Sequence, residues 1–422
     1  MSYKIENIKE NIKLHCITTK KYKTNLLTIF LSVPLLEETV TQNALIPAVL
    51  RRGTMDLKSQ EEISKKLEEM YGASFDCGIE KTGDNQILKF YLEMINDEFL
   101  PNGVKTLNDG INLLLDIVLN PLVEHSSFNE EYIKQEKENL KKIIEAKIDN
   151  KDRYAYERCI EEMYKDKTYG LYKYGYKEDL DRIDGKTLYE RYLQLIREAK
   201  IDIFVSGDVE EDIVLEDIKK NNNINKLQDR IDIHVIDSTN QLENAEEKQV
   251  EEKLNVTQGK LVIGTTINLD DEDAKYKISL YNVILGESAK SKLFQNVREK
   301  ESLAYTARSN YVRQKGNIYI RCGIEIGNYE KAVEVIKKQL QDMKDGNFNS
   351  DDIMNAKKYI SASLRSVKEE QDATVSYYFG QELSGEHISL EQYDEKINNV
   401  TKEDVIKVAN GVNIDTVYFL RN

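Results

Sequence analysis

Residues that hold catalytic metals are scarce in this chain. The four histidines, His15, His125, His234 and His387, are each separated by more than 100 residues. Zinc hydrolases usually place two histidines four residues apart on one helix, so that both imidazoles reach one ion. No such pair exists here, and His15 and Cys16 point to opposite faces of a predicted strand. We therefore expect no metal ion in this chain, and we interpret its histidines as surface or hydrogen-bonded residues.

Other catalytic patterns are also absent from the sequence. There is no GxxxxGK[ST] or GxGxxG phosphate-binding loop and no GxSxG nucleophile elbow. The 75 acidic residues are too many for spacing alone to single out a catalytic pair. Against 60 basic residues they give a formal net charge of −15, which repels a nucleic acid backbone. An independent enzyme of another chemistry is disfavoured, and nucleic acid is not an expected ligand.

The sequence shows no targeting or membrane segment. Its first residues, MSYKIENIKENIK, lack the apolar run of a secretory signal. The longest apolar stretch, residues 26–36, is broken by Thr28, Ser32 and Pro34 and is far shorter than the ~20 residues that span a bilayer. Four scattered cysteines without a CxxC pair fit reduced thiols. These features predict a cytoplasmic protein without membrane contact.

Hydrophobic periodicity predicts an α+β chain. Period-two alternation indicates strands and hairpins, and apolar residues at helical spacing indicate long amphipathic helices. The predicted elements of the first half are strands 14–19 and 26–33, helices 43–52 and 59–70, a hairpin of 74–80 with 86–94, a helix 128–148 and a strand 201–205. Those of the second half are a strand 261–269, helices 273–285 and 291–300, a hairpin of 303–313 with 317–326, further helices and a last strand 416–420.

The two halves of the chain resemble each other. Aligning Ala73 with Ala304 also aligns Ile87 with Ile318, at a constant offset of 231 residues. A helix, a hairpin and a long helix then occur in both halves, and the short turns between paired strands imply antiparallel sheets. This order predicts duplication of an α+β unit, and chance recurrence of a common arrangement is the alternative.

A polar stretch separates the two halves. Residues 240–253 consist largely of Asn, Gln, Glu and Lys and cannot form a hydrophobic core of their own. We therefore predict an N-terminal domain at 1–238, a linker at 239–258 and a C-terminal domain at 259–422.

One stretch of the second half is more specific. Leu285-Gly286 is followed by LFQNVREKESLAY at residues 293–305. This pattern resembles the C-terminal signature of the insulinase, or pitrilysin-like, metallopeptidases, commonly LG followed by SRLFQxVREKxxLAY. The sequence VSGDV at 205–209 resembles the turn that ends the first half in that family. The resemblance covers essentially the whole chain. It implies two homologous halves, each an antiparallel sheet packed with long helices, in a clam-shell arrangement.

The inverted zinc motif of that family, H-x-x-E-H, is degenerate in this chain. Aligned on the Gly-Thr dipeptide that follows it, the motif begins at Ala44, with its Glu at Pro47 and its second His at Ala48. Alanine has no ligand atom, and proline cannot act as a base. The third family ligand, a Glu, would fall on the helix containing Lys142 and Glu145. The resemblance therefore implies a catalytically silent chain that binds no metal at this motif.

The substrate-binding pair of the family is retained. Arg298 and Tyr305 match an Arg and a Tyr, seven residues apart, that bind substrate near the metal of the active half. A guanidinium offers five donors, and a tyrosine hydroxyl can stabilise an oxyanion. The alternative is that Arg298 pairs with neighbouring acids and Tyr305 packs in its hairpin. Strand 74–80 resembles the family's edge strand, which accepts a peptide as an added strand.

The hypothesis that we favour is a silent insulinase-like subunit. It would pair with a zinc-bearing relative as a heterodimer, or form a homodimer, and present Arg298 and Tyr305 in trans to a peptide or unfolded protein. Zinc is expected in the partner and no cofactor in this chain. Among bacterial families the chain most resembles the silent member of a pair associated with the 5-aminopentanol modification of elongation factor P. A non-enzymatic scaffold built on the same fold is the alternative.

Overall fold

A computed structural model describes residues 1–228, 230–231, 242 and 246–422. The chain contains many helices and two sheets that are mostly antiparallel, which confirms the predicted α+β class. Within the described residues, every helix is too short or too polar to traverse a lipid bilayer. His234 and part of the predicted linker at 239–258 lie outside the described residues.

Eleven strands and fourteen helices are assigned within the described part of the chain. The strands are β1 (Ser2–Lys9), β2 (Ile12–Thr18), β3 (Thr24–Pro34), β4 (Ser74–Thr82), β5 (Asn85–Ile95), β6 (Lys200–Gly207), β7 (Lys248–Lys253), β8 (Gly259–Ile267), β9 (Ala304–Val312), β10 (Asn317–Ile324) and β11 (Val412–Arg421). The helices are α1 (Val40–Leu50), α2 (Gln60–Glu69), α3 (Leu107–Leu119), α4 (Glu130–Glu145), α5 (Lys151–Met163), α6 (Gly185–Glu198), α7 (Glu211–Lys220), α8 (Asn222–Lys226), α9 (Ala274–Asn282), α10 (Tyr329–Lys344), α11 (Ser350–Glu369), α12 (Gln371–Leu383), α13 (Leu390–Asn399) and α14 (Lys402–Gly411).

The chain divides into two compact units. Unit 1 consists of residues 1–145, 171–236 and 370–383, and unit 2 consists of residues 146–170, 237–369 and 384–422. The helices α5 and α12 therefore belong to the unit that does not contain most of their sequence neighbours. Apolar periodicity predicts that such helices exist, but it carries no information about which sheet they cover.

Sheet 1, in unit 1, has six strands in the order β1-β2-β6-β3-β5-β4. All its strand pairs are antiparallel except β2 with β6. Successive side chains on a strand face opposite sides of the sheet. On β2, Ile12, Leu14 and Cys16 join the main core under the helices of the N-terminal half, whereas Ile17 joins a smaller cluster with Val375 and Phe379 of α12. Both faces of sheet 1 are thus covered.

Sheet 2, in unit 2, has five strands in the order β7-β11-β8-β10-β9. On one face, α5 packs against β8 and β11 with Ala155, Cys159 and Met163 in the cluster. The strand β7 pairs in parallel with β11 and covers residues that the sequence analysis assigns to the linker at 239–258. Six residues of the predicted linker thus form a regular edge strand of sheet 2. Main-chain pairing needs no apolar side chains, and an edge strand can remain polar.

The predicted hairpins are present in both sheets, but two helix predictions need correction. The helix predicted at 128–148 is α4, which ends at Glu145 and continues as a single 3-10 turn. The helix predicted at 291–300 is π-helical over Phe294–Lys300, and Val283–Glu287 is a second π-helical segment. Such segments are rare and concentrate near functional sites.

Candidate functional site

The helix α1, which carries the degenerate motif, is buried on nearly all sides. Asn43 donates from Nδ2 to Oε1 of Gln86 on β5 at 2.9 Å, and Arg191 of α6 donates from Nε to Asn43 Oδ1 at 2.8 Å. These three side chains are almost fully buried. Buried polar groups that satisfy one another fix a helix in one register. This network therefore holds α1 in a defined position against sheet 1.

The three degenerate positions meet at one cavity of about 470 Å³ in unit 1. Ala44, Pro47 and Ala48 lie on its wall, as spacing on a helix predicts. The opposite walls come from α4 and from residues 77–79 of β4. The three positions selected by the alignment on the Gly-Thr dipeptide thus line a single pocket.

The side chains at this pocket do not fit zinc. Ala44 and Ala48 offer no donor atom, and Pro47 offers neither a carboxylate nor a base. The helix that contains Lys142 and Glu145 is α4, and it lines the pocket with Glu136, Asn139, Leu140 and Ile143 but not with Lys142 or Glu145. The helical repeat explains this, because residues 136, 140 and 143 share a face that excludes 142 and 145.

The carboxylate of α4 that does reach the pocket is neutralised by a guanidinium. Arg52 donates from Nε to Glu136 Oε1 at 2.7 Å, and Asn139 donates to Glu136 Oε2 at 3.1 Å. Glu136 is 7% exposed, and Arg52 also lies over the ring of Tyr132. A carboxylate held in this way is committed to an ion pair and is not free as a base or a ligand.

The pocket also contains a thiol, which is inert. Cys77 donates from Sγ to the carbonyl oxygen of Pro47 at 3.3 Å. Burial raises the pKa of Cys77 to about 12, so the thiol remains protonated at neutral pH. Only the thiolate is a strong nucleophile. Neither Cys77 nor the Arg52–Glu136 pair is marked by any spacing in the sequence, so neither is predicted from it.

The strand β4 forms both a wall of this pocket and one edge of sheet 1. It pairs with β5 in the described sheet, and its Ser74, Asp76 and Glu80 are exposed. Its outer main-chain N–H and C=O groups therefore face away from the sheet. An edge of this kind can pair with an extended peptide.

Arg298 and Tyr305 lie in unit 2, whereas the degenerate motif lies in unit 1. Arg298 is in the π-helical segment 294–300, stacks 4.5 Å from the ring centre of Phe294 and has Glu299 3.4 Å from its Nε. Tyr305 is the second residue of β9 and is 69% exposed, so its ring does not pack in the core of the hairpin. Both side chains are accessible to solvent.

The Leu-Gly part of the signature has a packing role. A Cβ atom at Gly286 would lie 2.6 Å from the backbone nitrogen of Ser309, so only glycine fits beside β9. Ser309 in turn donates to Asn282 Oδ1 at 2.7 Å. These contacts fix the first π-helical segment against the strand that carries Tyr305.

Comparison with known proteins gives consistent matches. The model of the family described as "Peptidase M16 inactive domain" matches residues 182–360. The chain is 36% identical over 409 residues to the "Probable inactive metalloprotease YmfF" of Bacillus subtilis (strain 168), covering 96% of this chain and 95% of that protein. It is 25% identical over 310 residues to the "Uncharacterized zinc protease YmxG" of the same strain, covering 72% and 73%.

Solved structures give the same picture of the fold. A conserved protein from Enterococcus faecalis V583 matches with a TM-score of 0.89 and 25% identity, over 100% of this chain and 98% of that chain. Of the two Bacillus subtilis relatives, the more similar one carries the word "inactive" in its name. This agrees with the pocket described above, which lacks every zinc ligand of the motif.

Proposed function

The chain belongs to the M16, or insulinase-like, peptidase family as an inactive homologue, and from this we propose that it is the silent subunit of a two-chain peptidase. In this proposal a relative with an intact H-x-x-E-H motif holds the zinc. The present chain contributes substrate-binding Arg298 and Tyr305 in trans. The observation that carries the proposal is the contrast between a motif pocket without ligands and an exposed Arg/Tyr pair.

The occurrence of relatives supports a paired arrangement. One organism, Bacillus subtilis (strain 168), has both a relative named as an inactive metalloprotease and a relative named as a zinc protease. One organism thus encodes both kinds of relative, as a two-chain arrangement would require. A homodimer would contain two motifs without ligands, so a heterodimer is the arrangement that supplies a metal.

The chemistry of the retained pair suits amide hydrolysis. Zinc activates a water that attacks the scissile carbonyl, and the resulting oxyanion is stabilised by hydrogen-bond donors. A tyrosine hydroxyl and a guanidinium are donors of this kind. The exposure of Tyr305 and Arg298 leaves them available to a substrate held at another chain's metal.

The substrate class follows from the edge strand. Pairing with β4 would use main-chain groups and would select an extended peptide or an unfolded segment rather than a particular side chain. We also propose the cytoplasm as the location, and the processing linked to modification of elongation factor P as the context. The elongation factor P context depends on the resemblance given in the first section.

Reconstitution with a zinc-bearing relative from the same organism tests the proposal. Cleavage of a quenched fluorescent peptide is measured for the zinc-bearing chain alone and with this chain added. We expect activity to require both chains, and Tyr305→Phe and Arg298→Ala to lower kcat by about 100-fold, the cost of losing an oxyanion donor. Tyr359→Phe and Arg365→Ala, at exposed positions of α11, are the matched controls.

Complex formation is measured separately by size-exclusion chromatography. A complex that forms and cleaves equally well with the Arg298 and Tyr305 variants would refute a role in trans and favour the scaffold alternative. Absence of any complex with the zinc-bearing relative would overturn the paired peptidase itself.

A further inference from the structure

Three residues that are remote in sequence meet in unit 1, on the face of sheet 1 that α12 covers. One donor atom from each of His15, Asp202 and Glu382 lies within 4.8 Å of the other two. The parallel register of β2 with β6 sets Lys13 opposite Asp202 and His15 opposite Phe204, so these alternate side chains share one face. Near the end of α12, Glu382 reaches the same point. Because the three residues are far apart in sequence, no local motif reveals this cluster.

We propose that His15, Asp202 and Glu382 form a binding site for a divalent transition-metal ion of the zinc class. One imidazole nitrogen and two carboxylate oxygens are a donor set that suits Zn²⁺ and its first-row neighbours. The site is made of residues other than the degenerate motif at Ala44 and Ala48. It does not depend on the proposed pairing with another chain.

Burial and unpaired oxygen atoms support a ligand at this point. His15 and Asp202 are fully buried and Glu382 is 5% exposed. Oδ2 of Asp202 and Oε2 of Glu382 are buried without a hydrogen-bond partner among the described residues, as are the hydroxyls of Thr28 and Ser32 on the neighbouring strand β3. A buried carboxylate oxygen without a partner is costly, and a cation satisfies two of them at once.

The hydrogen bonds of His15 permit it to act as a ligand. Its Nε2 is 2.9 Å from Asp202 Oδ1, and its Nδ1 is 2.8 Å from the hydroxyl of Tyr3 on β1. A tyrosine hydroxyl can either donate or accept. The hydroxyl of Tyr3 can therefore accept a hydrogen bond from Nδ1–H, which leaves the Nε2 lone pair for a metal. Histidines that bind metals usually donate their other ring N–H in this way.

In this structure two lysine ammonium groups lie where the metal ion would bind. Lys13 and Lys200 donate to Glu382 Oε1 at 2.7 and 2.5 Å. The side chain of Lys13 is 31% exposed, so its ammonium can turn to solvent when a divalent ion replaces it. The lysines and the ion compete for the same carboxylates. Removing a lysine should therefore tighten metal binding, whereas removing a ligand should weaken it.

Metal content of the full chain is the first measurement. The protein is expressed in zinc-supplemented medium, because a closed site loads during folding, and is then dialysed extensively. We expect about one zinc per chain, and a visible absorption spectrum when Co²⁺ is used in its place. Mg²⁺ at the same concentration should not displace the zinc. Zinc at background level together with a featureless Co²⁺ spectrum would overturn the proposal.

Variants identify the ligands. His15→Gln, Asp202→Asn and Glu382→Gln should each weaken zinc binding about 100-fold or more, and Tyr3→Phe about 10-fold. The control His125→Ala changes a histidine in the 124–127 turn and should have no effect. Full metal retention in His15→Gln would refute the assignment. Circular dichroism confirms that each variant folds.

The lysine variant separates a metal site from a purely structural ion-pair cluster. Lys13→Met removes a competing ammonium and should tighten zinc binding roughly fivefold, the equivalent of an ion pair near the surface. Lys4→Met, which removes an ion pair with Glu211 elsewhere in unit 1, is the matched control and should leave affinity unchanged. Weaker zinc binding in Lys13→Met would contradict the proposed competition.

Discussion

At the scale of single residues, the motif pocket lacks zinc ligands and contains a nearly buried ion pair. Two ligand positions carry alanine, and the carboxylate of α4 that reaches the cavity is paired with Arg52. In an active site a free carboxylate must bind metal or carry a proton. Here Glu136 accepts hydrogen bonds from Arg52 and Asn139, and Arg52 also lines the pocket.

This interpretation predicts the effect of breaking the pair. Arg52→Met leaves the nearly buried carboxylate of Glu136 without its guanidinium, and we expect the free energy of unfolding to fall by about 2–3 kcal/mol. Glu136→Gln should cost a similar amount, and the double variant less than the sum of the two. Urea unfolding in a double-mutant cycle measures this.

The exposed ion pair Lys220–Glu216 on α7 supplies the comparison for that cycle. Its removal should change stability far less, because solvent screens both charges. If the single Arg52 and Glu136 changes were additive in the double variant, the pair would not be acting as a unit.

At the scale of elements, sequence patterns predict local structure well, but they predict contacts between distant elements poorly. The hairpin β4–β5 is evident from alternation and from a Gly-Asp-Asn turn, because both signals are local. The positions of Ala44, Pro47 and Ala48 on one helix face follow from spacing alone. The register of α4, the cover of sheet 1 by α12 and the meeting of His15 with Glu382 depend on contacts between distant segments, which no local pattern records.

The assignment of α12 to sheet 1 can be tested through Phe379. This side chain is 4% exposed and stacks on Phe30 of β3 with 3.8 Å between ring centres. Phe379→Ala should lower stability by about 3–5 kcal/mol, as expected for a buried aromatic residue. Hydrogen exchange measured by mass spectrometry should become faster in β2, β3 and β6, although Phe379 is remote from them in sequence.

Tyr359→Ala on α11 changes an aromatic residue that is 38% exposed, and it serves as the control for this experiment. It should leave exchange in sheet 1 unchanged. Faster exchange confined to sheet 2 in the Phe379 variant would show that α12 belongs to unit 2.

At the scale of the whole molecule, the units do not coincide with halves of the sequence. The chain leaves unit 1 after residue 145, returns at 171, leaves again after 236 and contributes 370–383 at a late point. A fragment that ends in the linker region therefore contains sheet 1 without one of its covering helices. It also contains α5 without the sheet on which that helix packs.

Expression of residues 1–238 alone tests this organisation. Ile17, Leu26, Phe30, Ile87 and Phe204 would lose the cover of α12, and an exposed apolar sheet face of this kind promotes aggregation. We expect the fragment to be insoluble, or to bind a hydrophobic dye, and co-expression with residues 239–422 to restore solubility.

As a control, fusing 370–383 to the fragment through a flexible linker should improve solubility more than fusing the equally long segment 350–363. A soluble 1–238 fragment that unfolds cooperatively would show that sheet 1 needs no contribution from α12, because two-state unfolding requires a complete core.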